Sequence, residues 1–145
     1  MNNTFQVLEP KRKDTFKVYN KEGHEALPWS FDVFAPAGAL KSTLEDLLKF
    51  ANAQFKMPQT PLENAMANTR LFTFFLPPDT DLGLAWHMNL IDNLTVFWHN
   101  GATAGSSSYL ALSPDKKSGV VMLSNSAIST DDQGKTILNY LLHQN

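Results

Sequence analysis

The hydrophobic period of the chain changes after residue 81, and this change constrains the fold more than any other feature. Apolar residues recur at helical spacing before that point and alternate with polar residues after it. Four stretches then have the pattern of strands: "LGLAWHMNL", "LTVFWH", "SSYLALS" and "GVVMLSN". The links between them are short and rich in Asp, Asn and Gly, which favours neighbouring antiparallel strands. The sequence therefore predicts an antiparallel sheet over residues 82–126.

The register of the first two strands follows if their turn centres on Asp92 and Asn93. His99 then lies opposite Trp86, and His87 points to the other face of the sheet. Since the two imidazoles are expected on opposite faces, they are not expected to share a metal ion. The sequence predicts no metal site and no cofactor.

Helical patterns lie on both sides of these strands in the sequence. "STLEDLLKFANAQF" predicts a helix with one apolar face, and Ser42 and Glu45 have the spacing of a capping box at its start. "PLENAMANTRLF" predicts a shorter helix with proline in its first turn, and "DDQGKTILNYLLHQ" predicts a closing amphipathic helix. The predicted fold class is α+β, an antiparallel β-sheet flanked by helices.

A length of 145 residues fits a single domain. Its expected parts are an irregular arm over residues 1–37, a helical segment over 38–81, the strands over 82–126 and the C-terminal helix over 130–145. Within the arm, we expect one short strand near residues 16–19, followed by a turn.

Composition excludes several classes of function. A net charge of −2 gives no electrostatic reason to expect a nucleic-acid partner. The absence of cysteine excludes disulfides and thiolate metal sites, but it does not choose between compartments. No membrane segment is expected, because the longest stretch without Asp, Glu, Lys or Arg, residues 93–114, is full of Asn, Gly and Ser. The N-terminal "MNNTFQVLEP" has no apolar core of a signal peptide.

Five stretches carry a resemblance to a known family. "MNNT" is similar to a Gly-Met-x-x-Thr segment, "FAPAGALKSTLEDLLKFANAQ" to a Pro-Ala-Gly-Gly-type loop with the helix after it, and "LGLAWHM" to a Gly-Leu-Gly-Trp strand. "HNGATAGSSSYLALSP" and "GVVMLSN" resemble the His-x-Gly, Gly-x-x-Gly-x-x-Ser and Val-Val-x-Leu-x-Asn strands that follow it. In this order the stretches resemble the serine hydrolases of the class C β-lactamase and D-alanyl-D-alanine carboxypeptidase family, which are penicillin-binding-protein-like. The resemblance implies a partial β-lactamase/transpeptidase-like fold.

The resemblance also implies a site on the strand that carries "HNGA". His99-Asn100-Gly101 matches the third motif of the family, with His in place of the Lys of Lys-Thr-Gly, and this motif forms one wall of the active site. The N–H of Ala102 is then expected to be one of two oxyanion-hole donors, the other coming from the nucleophile's own backbone. His99 is expected to orient a substrate or assist proton transfer, and Gly101 to let substrate backbone approach the strand.

The nucleophile of the family is the Ser of Ser-x-x-Lys at the start of a helix, and a Tyr-x-Asn motif accompanies it. Ser113 and Lys116 spell Ser-x-x-Lys, but they lie between two predicted strands, where a hairpin turn is expected and a helix has no room. No Tyr-x-Asn occurs. We therefore expect the nucleophile to be absent from this chain and to belong to a segment upstream of residue 1.

Two functions of different classes fit these features. In the first, the chain is the C-terminal part of a β-lactamase-like serine hydrolase that cleaves a β-lactam, a D-alanyl peptide or an ester, and is inactive alone. In the second, it is a non-catalytic binding or interaction domain with the same sheet. The first implies a small-molecule acyl substrate once the enzyme is complete, and a periplasmic or secreted location if the longer protein carries a signal peptide. In either case, poorly protected sheet edges or exchange of the N-terminal arm are expected to allow homo-oligomers. The alternative is that residues 1–37 fold back and cover the uncovered surface within one chain.

Overall fold

The antiparallel sheet that the sequence predicts forms the centre of the fold. A computed structural model describes residues 1–6 and 16–144. In that part of the chain, a six-stranded antiparallel sheet has the order β3-β4-β5-β6-β7-β8. Its strands are β3 Phe74–Leu76, β4 Thr80–Leu82, β5 His87–Ile91, β6 Leu94–Ala102, β7 Ser107–Ser113 and β8 Ser118–Ser124.

The predicted turn and register between β5 and β6 are confirmed. Asp92 and Asn93 have φ angles of 49° and 64°, the left-handed pair of a two-residue type I′ turn. Ile91 pairs with Leu94, and the same register brings His87 opposite Trp98. Strand β5 is shorter than predicted, because residues 83–86 form a bend, in which Gly83 N–H donates to the Trp86 carbonyl at 2.9 Å.

Strands β3 and β4 lie partly within the segment that was expected to be helical, residues 38–81. They form a hairpin in which Phe74 pairs with Leu82. The sequence "LFTFFLPPDT" has no clear alternation of apolar and polar residues, and its two prolines are typical of residues that follow the end of a helix. The prediction was wrong here because phenylalanine is also enriched in strands, and its pairing with β4 is not visible in local sequence.

The helices flank the sheet as predicted. They are the short α1 Ala35–Gly38, α2 Leu44–Ala53, α3 Pro61–Asn68 and α4 Asp131–Leu142, with a 3₁₀ turn at Asp32–Phe34. Helix α4 covers one sheet face, where the buried core lies: Val96, Tyr109, Ala111, Val120, Leu138 and Leu142. Helix α2 lies on the other face, since Phe55, just beyond its end, approaches Gly119.

The cap of α2 differs from the predicted one by a residue. Thr43, not Ser42, is the N-cap, and its hydroxyl accepts a hydrogen bond from the N–H of Asp46 at 3.3 Å. Ser42 instead shares a hydrogen bond with the Thr4 hydroxyl at 2.8 Å, so the box with Glu45 does not form. Helix α3 has the complete box that α2 lacks, with Thr60 and Glu63 bonded reciprocally.

The described parts of the arm, residues 1–6 and 16–37, are attached to the sheet and helices at two places. Asn3 N–H and the Thr4 hydroxyl donate to the buried Asp46 carboxylate at 2.7 and 3.0 Å. Burial by itself raises the pKa of Asp46, but these hydrogen bonds, together with the positive charges of the N-terminus and Lys49, lower the pKa below its usual value. The tether therefore stabilises the fold at neutral pH and is lost as pH falls through that lowered pKa.

A second attachment comes from a two-stranded hairpin, β1 Val18–Tyr19 and β2 Glu25–Ala26. The N–H of Tyr19 donates to the Asn125 carbonyl at 2.9 Å, just beyond β8. The predicted strand near residues 16–19 is thus present, together with a partner strand that the sequence did not indicate. Residues 7–15 of the expected irregular arm lie outside the described residues.

Candidate functional site

The residues of the predicted wall form the end of one strand. His99, Asn100, Gly101 and Ala102 are the last four residues of β6, and all four are exposed. They pair with Leu110, Tyr109, Ser108 and Ser107 of β7. On the other side of β6, pairing with β5 ends at His87 opposite Trp98. The wall therefore extends beyond β5 and has one uncovered edge.

The hydrogen-bond pattern of β6 decides which backbone groups face this edge. Thr103 N–H donates to the Ser106 carbonyl at 2.9 Å, which closes the hairpin to β7. Antiparallel pairs alternate between bonded and non-bonded residues, so Gly101 and His99 bond to β7 in this register. The N–H of Ala102 consequently points away from β7, toward the side on which β5 has ended.

Gly101 keeps the wall flat beside that N–H. A Cβ at this position would lie 2.8 Å from the Ser108 hydroxyl oxygen, a contact too close without movement of the serine. Glycine avoids this contact and leaves room for another extended backbone along the strand.

His99 lies on the same face as Gly101, since the two residues are separated by one position of the strand. Its Nδ1 is 2.6 Å from the carbonyl oxygen of Asn100, which accepts, so Nδ1 carries a proton. In the neutral ring the lone pair is then on Nε2. An exposed Nε2 can accept a proton or a hydrogen bond from a group bound at the wall.

Asn100 links the wall to α4. Its amide donates to the carboxylate of Asp131, the first residue of α4, at 2.6 Å. The side chain thus points to the face of α4, opposite to His99. Sequence reasoning named Asn100 as part of a motif but gave no sign of this 31-residue link, because the contact depends on how the helix is placed.

The observed register agrees with the predicted faces of the two histidines, since His87 pairs with Trp98 and so lies on the Trp98 face, opposite to His99. The pattern did not predict how close their rings are, with centroids 5.7 Å apart. His87 is the first residue of β5 and follows a bend in which Ala85 has a φ of 62°. Its ring stacks on Trp98, with centroids 4.4 Å apart.

The Ser-x-x-Lys spelling at Ser113 lies in a hairpin, as predicted. Ser113 is the last residue of β7 and has no exposed surface. Lys117 N–H donates to the Pro114 carbonyl at 3.1 Å, and Lys117 has a φ of 49°, so a turn follows at once. A buried serine at a strand end has neither the helix nor the access that a nucleophile needs.

A separate cavity of about 380 Å³ lies between the sheet and α4. Trp98, Tyr109, Lys135 and Leu138 are among its lining residues. It is on the face opposite to His99 and Gly101, so it is not part of the wall.

Two further properties concern the described residues as a whole. Over residues 1–6 and 16–144, no three His, Asp or Glu side chains are grouped as ligands for a metal ion. Each helix in this part of the chain is too short or too polar to span a bilayer.

Solved structures with the same fold come from the class of enzymes that the sequence resembles. A beta-lactamase/D-alanine carboxypeptidase from Pseudomonas syringae matches with a TM-score of 0.86 at 20% identity, over 99% of this chain and 49% of that one. A D-alanine carboxypeptidase from Burkholderia cenocepacia matches with a TM-score of 0.82 at 24% identity, over 96% and 50%. An octameric penicillin-binding protein homologue from Pyrococcus abyssi matches with a TM-score of 0.77 at 23% identity, over 100% and 35%.

These likenesses establish a partial β-lactamase-like fold, and the chain spans about half the length of the first two structures. A search of curated proteins found no match. The family model described as beta-lactamase matches residues 3–144, nearly the whole sequence. On this match and the fold, the chain belongs to the beta-lactamase family.

Proposed function

We propose that the chain supplies the substrate wall of a β-lactamase-like serine hydrolase that cleaves a β-lactam, a D-alanyl peptide or an ester by acyl transfer. The observation that carries this proposal is the uncovered edge of β6, where the Ala102 N–H points away from β7 next to Gly101 and His99. An extended acyl group placed along this edge can continue the sheet by one strand.

Each residue of the wall has a role in this proposal. The Ala102 N–H donates to the substrate carbonyl oxygen and stabilises the negative charge that develops there. His99 orients the substrate or accepts a proton through Nε2, and Asn100 holds the strand against α4. A nucleophilic serine supplies the second oxyanion donor and the attacking oxygen. The Ser-x-x-Lys at Ser113 lies in a hairpin, so this serine is expected from another segment of the enzyme.

We predict that the chain alone does not hydrolyse nitrocefin or p-nitrophenyl acetate faster than buffer does. A single donor without a nucleophile does not perform acyl transfer. The measurement is the initial rate for wild type and for Ser113→Ala, since Ser113 carries the only Ser-x-x-Lys spelling. Turnover that survives purification and disappears in Ser113→Ala would show that the buried serine becomes a nucleophile.

A longer reading frame distinguishes this function from a non-catalytic binding domain. A frame that continues upstream and encodes Ser-x-x-Lys followed by Tyr-x-Asn supports the hydrolase. A chain that is complete without them supports the binding domain.

We also propose that copies of the chain associate through the edge strand β3. Phe74, Phe75 and Leu76 are 60%, 46% and 43% exposed, and the strand has no charged residue to oppose pairing. Sedimentation at micromolar concentration is expected to give species above 16.2 kDa. Phe75→Lys is expected to shift them to monomer, and a wild-type monomer throughout a tenfold dilution series would contradict the proposal.

A further inference from the structure

Helix α4 has a hydrogen bond to the sheet at each of its ends. At its start, the Asp131 carboxylate accepts a hydrogen bond from Asn100, near the end of β6. Just after its last residue, His143 lies beside Asp92 in the β5–β6 turn, with its Nε2 2.9 Å from an Asp92 carboxylate oxygen. These two residues are 51 positions apart in the sequence, so only the fold brings them together.

Both nitrogens of the His143 ring face an acceptor. Its Nδ1 is 2.7 Å from the backbone carbonyl oxygen of Asn139, one turn earlier in α4. A carbonyl and an ionised carboxylate accept hydrogen bonds and have no proton to donate. A neutral imidazole carries one N–H and satisfies one of these acceptors, whereas the protonated ring satisfies both. The geometry therefore fits the charged form of His143 better than the neutral form.

The groups around His143 favour the same form. The hydrogen bond to the Asn139 carbonyl, followed by the hydrogen bond and charge of Asp92, raise the pKa of His143 above its ordinary value. Partial loss of water contact and the positive charge of Lys116, in the β7–β8 turn, act in the opposite direction without reversing the shift. The C-terminal end of a helix also favours a positive charge. The other titratable side chains on these elements are exposed: Asp115 and Lys117 in the same turn, and Tyr140 on α4.

We propose that His143 and Asp92 form a pH-sensitive clasp, which holds the last turn of α4 on the β5–β6 turn in mildly acidic solution and releases it as the pH rises. Folding raises the pKa of His143, so the clasp is complete below the ordinary imidazole pKa of about 6.5 and is lost as pH rises through the raised value. The clasp is independent of the proposed hydrolase function, because neither residue belongs to the wall.

An apolar anchor next to the clasp limits the release to the end of the helix. Leu142 is 5% exposed and belongs to the buried core. Ile91 and Leu94, on either side of the β5–β6 turn, pack against that core. Loss of the clasp therefore leaves α4 on the sheet and frees residues 143–144, which follow the anchor.

NMR titration of the His143 ring tests the charge relation. In Asp92→Asn we expect a lower pKa for His143 than in wild type, because the carboxylate charge is gone. Asparagine tolerates the left-handed conformation of Asp92, whose φ is 49°, so the turn is retained. Asp81→Asn is the matched control, since Asp81 is exposed and pairs with Met88 away from the turn, and it is expected to leave the pKa unchanged. Equal pKa values in wild type and Asp92→Asn would overturn the proposal.

Backbone order parameters of residues 143–144 measure the release itself, at about pH 5.5 and about pH 8.5. In wild type we expect values near ~0.85 at the lower pH, as in rigid backbone, and values toward ~0.6 at the higher pH. His143→Gln is expected to remove this difference, because glutamine does not titrate. Gly134, near the start of α4, is expected to stay rigid at both pH values. Order parameters in wild type that do not change with pH would overturn the clasp, even if the pKa of His143 responds to Asp92.

Discussion

Gly134→Ala is expected to destabilise the chain by about 2 kcal/mol, although alanine is the better helix former. In an exposed helix the same change stabilises by ~1 kcal/mol. Gly134 is buried in α4, and a Cβ there would lie 2.2 Å from Cδ1 of the Tyr109 ring. Tyr109 is 2% exposed and belongs to the buried core, so the ring has to be displaced within the core to admit the Cβ. Overpacking of this kind costs ~1–3 kcal/mol, and the 2.2 Å approach puts the cost at the upper end, so about 2 kcal/mol remains after the ~1 kcal/mol gain in helix propensity.

Thermal or denaturant unfolding measures this effect, with a Tm lower by roughly 6 °C. Gln133→Ala is the control, because Gln133 is the preceding helical residue and is exposed. In a Tyr109→Leu background the cost of Gly134→Ala is expected to fall sharply, since the clashing ring atoms are removed. An unchanged or raised Tm for Gly134→Ala would show that α4 does not approach the sheet this closely.

Ala102→Pro is expected to weaken binding of N-acetyl-D-alanine methyl ester by about tenfold while the fold is retained. Proline removes the N–H that the proposed function assigns to the substrate carbonyl, and one lost hydrogen bond of ~1.4 kcal/mol corresponds to a factor of about ten. Because this N–H points away from β7, no bond of the sheet is lost. The residue before proline must be extended, as Gly101 already is in β6.

Gly101→Pro is the matched control one residue away. Its N–H bonds to β7 in the observed register, opposite Ser108, so proline there breaks the sheet and lowers stability. The two substitutions thus separate loss of binding from loss of fold. Equal destabilisation by both would contradict the assignment of the Ala102 N–H to the open edge.

The sheet was predictable because its signals are local. Alternation of side chains marked β7 and β8 nearly to the residue, and Asp92-Asn93 identified a turn whose geometry fixes the register of β5 with β6. A two-residue turn with both φ angles positive permits only one pairing of the strands that flank it.

The features that sequence reasoning missed depend on contacts between distant residues. Ser42 has the right spacing for a cap, but Thr4, 38 residues away, competes for its hydroxyl. The 5.7 Å approach of the His87 and His99 rings is likewise a contact between side chains of two strands, which the alternation pattern does not show.

The candidate site also has one part that the sequence predicted and one part that it did not. Its residues were identified from a motif, but the property that supports a function is the uncovered edge. That edge exists because β5 begins only opposite Trp98, and β5 was predicted to begin five residues earlier, at Leu82. A strand of the predicted length would have covered the Ala102 N–H.

Mapping the bound ester by ¹⁵N–¹H shifts tests the central claim, that the end of β6 is a substrate wall. With N-acetyl-D-alanine methyl ester added to the wild-type chain, we predict that the largest shifts fall on the amides of His99 to Ala102, with Ala102 first. In Ala102→Pro the remaining wall amides are expected to respond about tenfold more weakly. Shifts centred instead on Lys135 and Leu138, at the cavity beneath α4, or no saturable shift at all, would contradict the account.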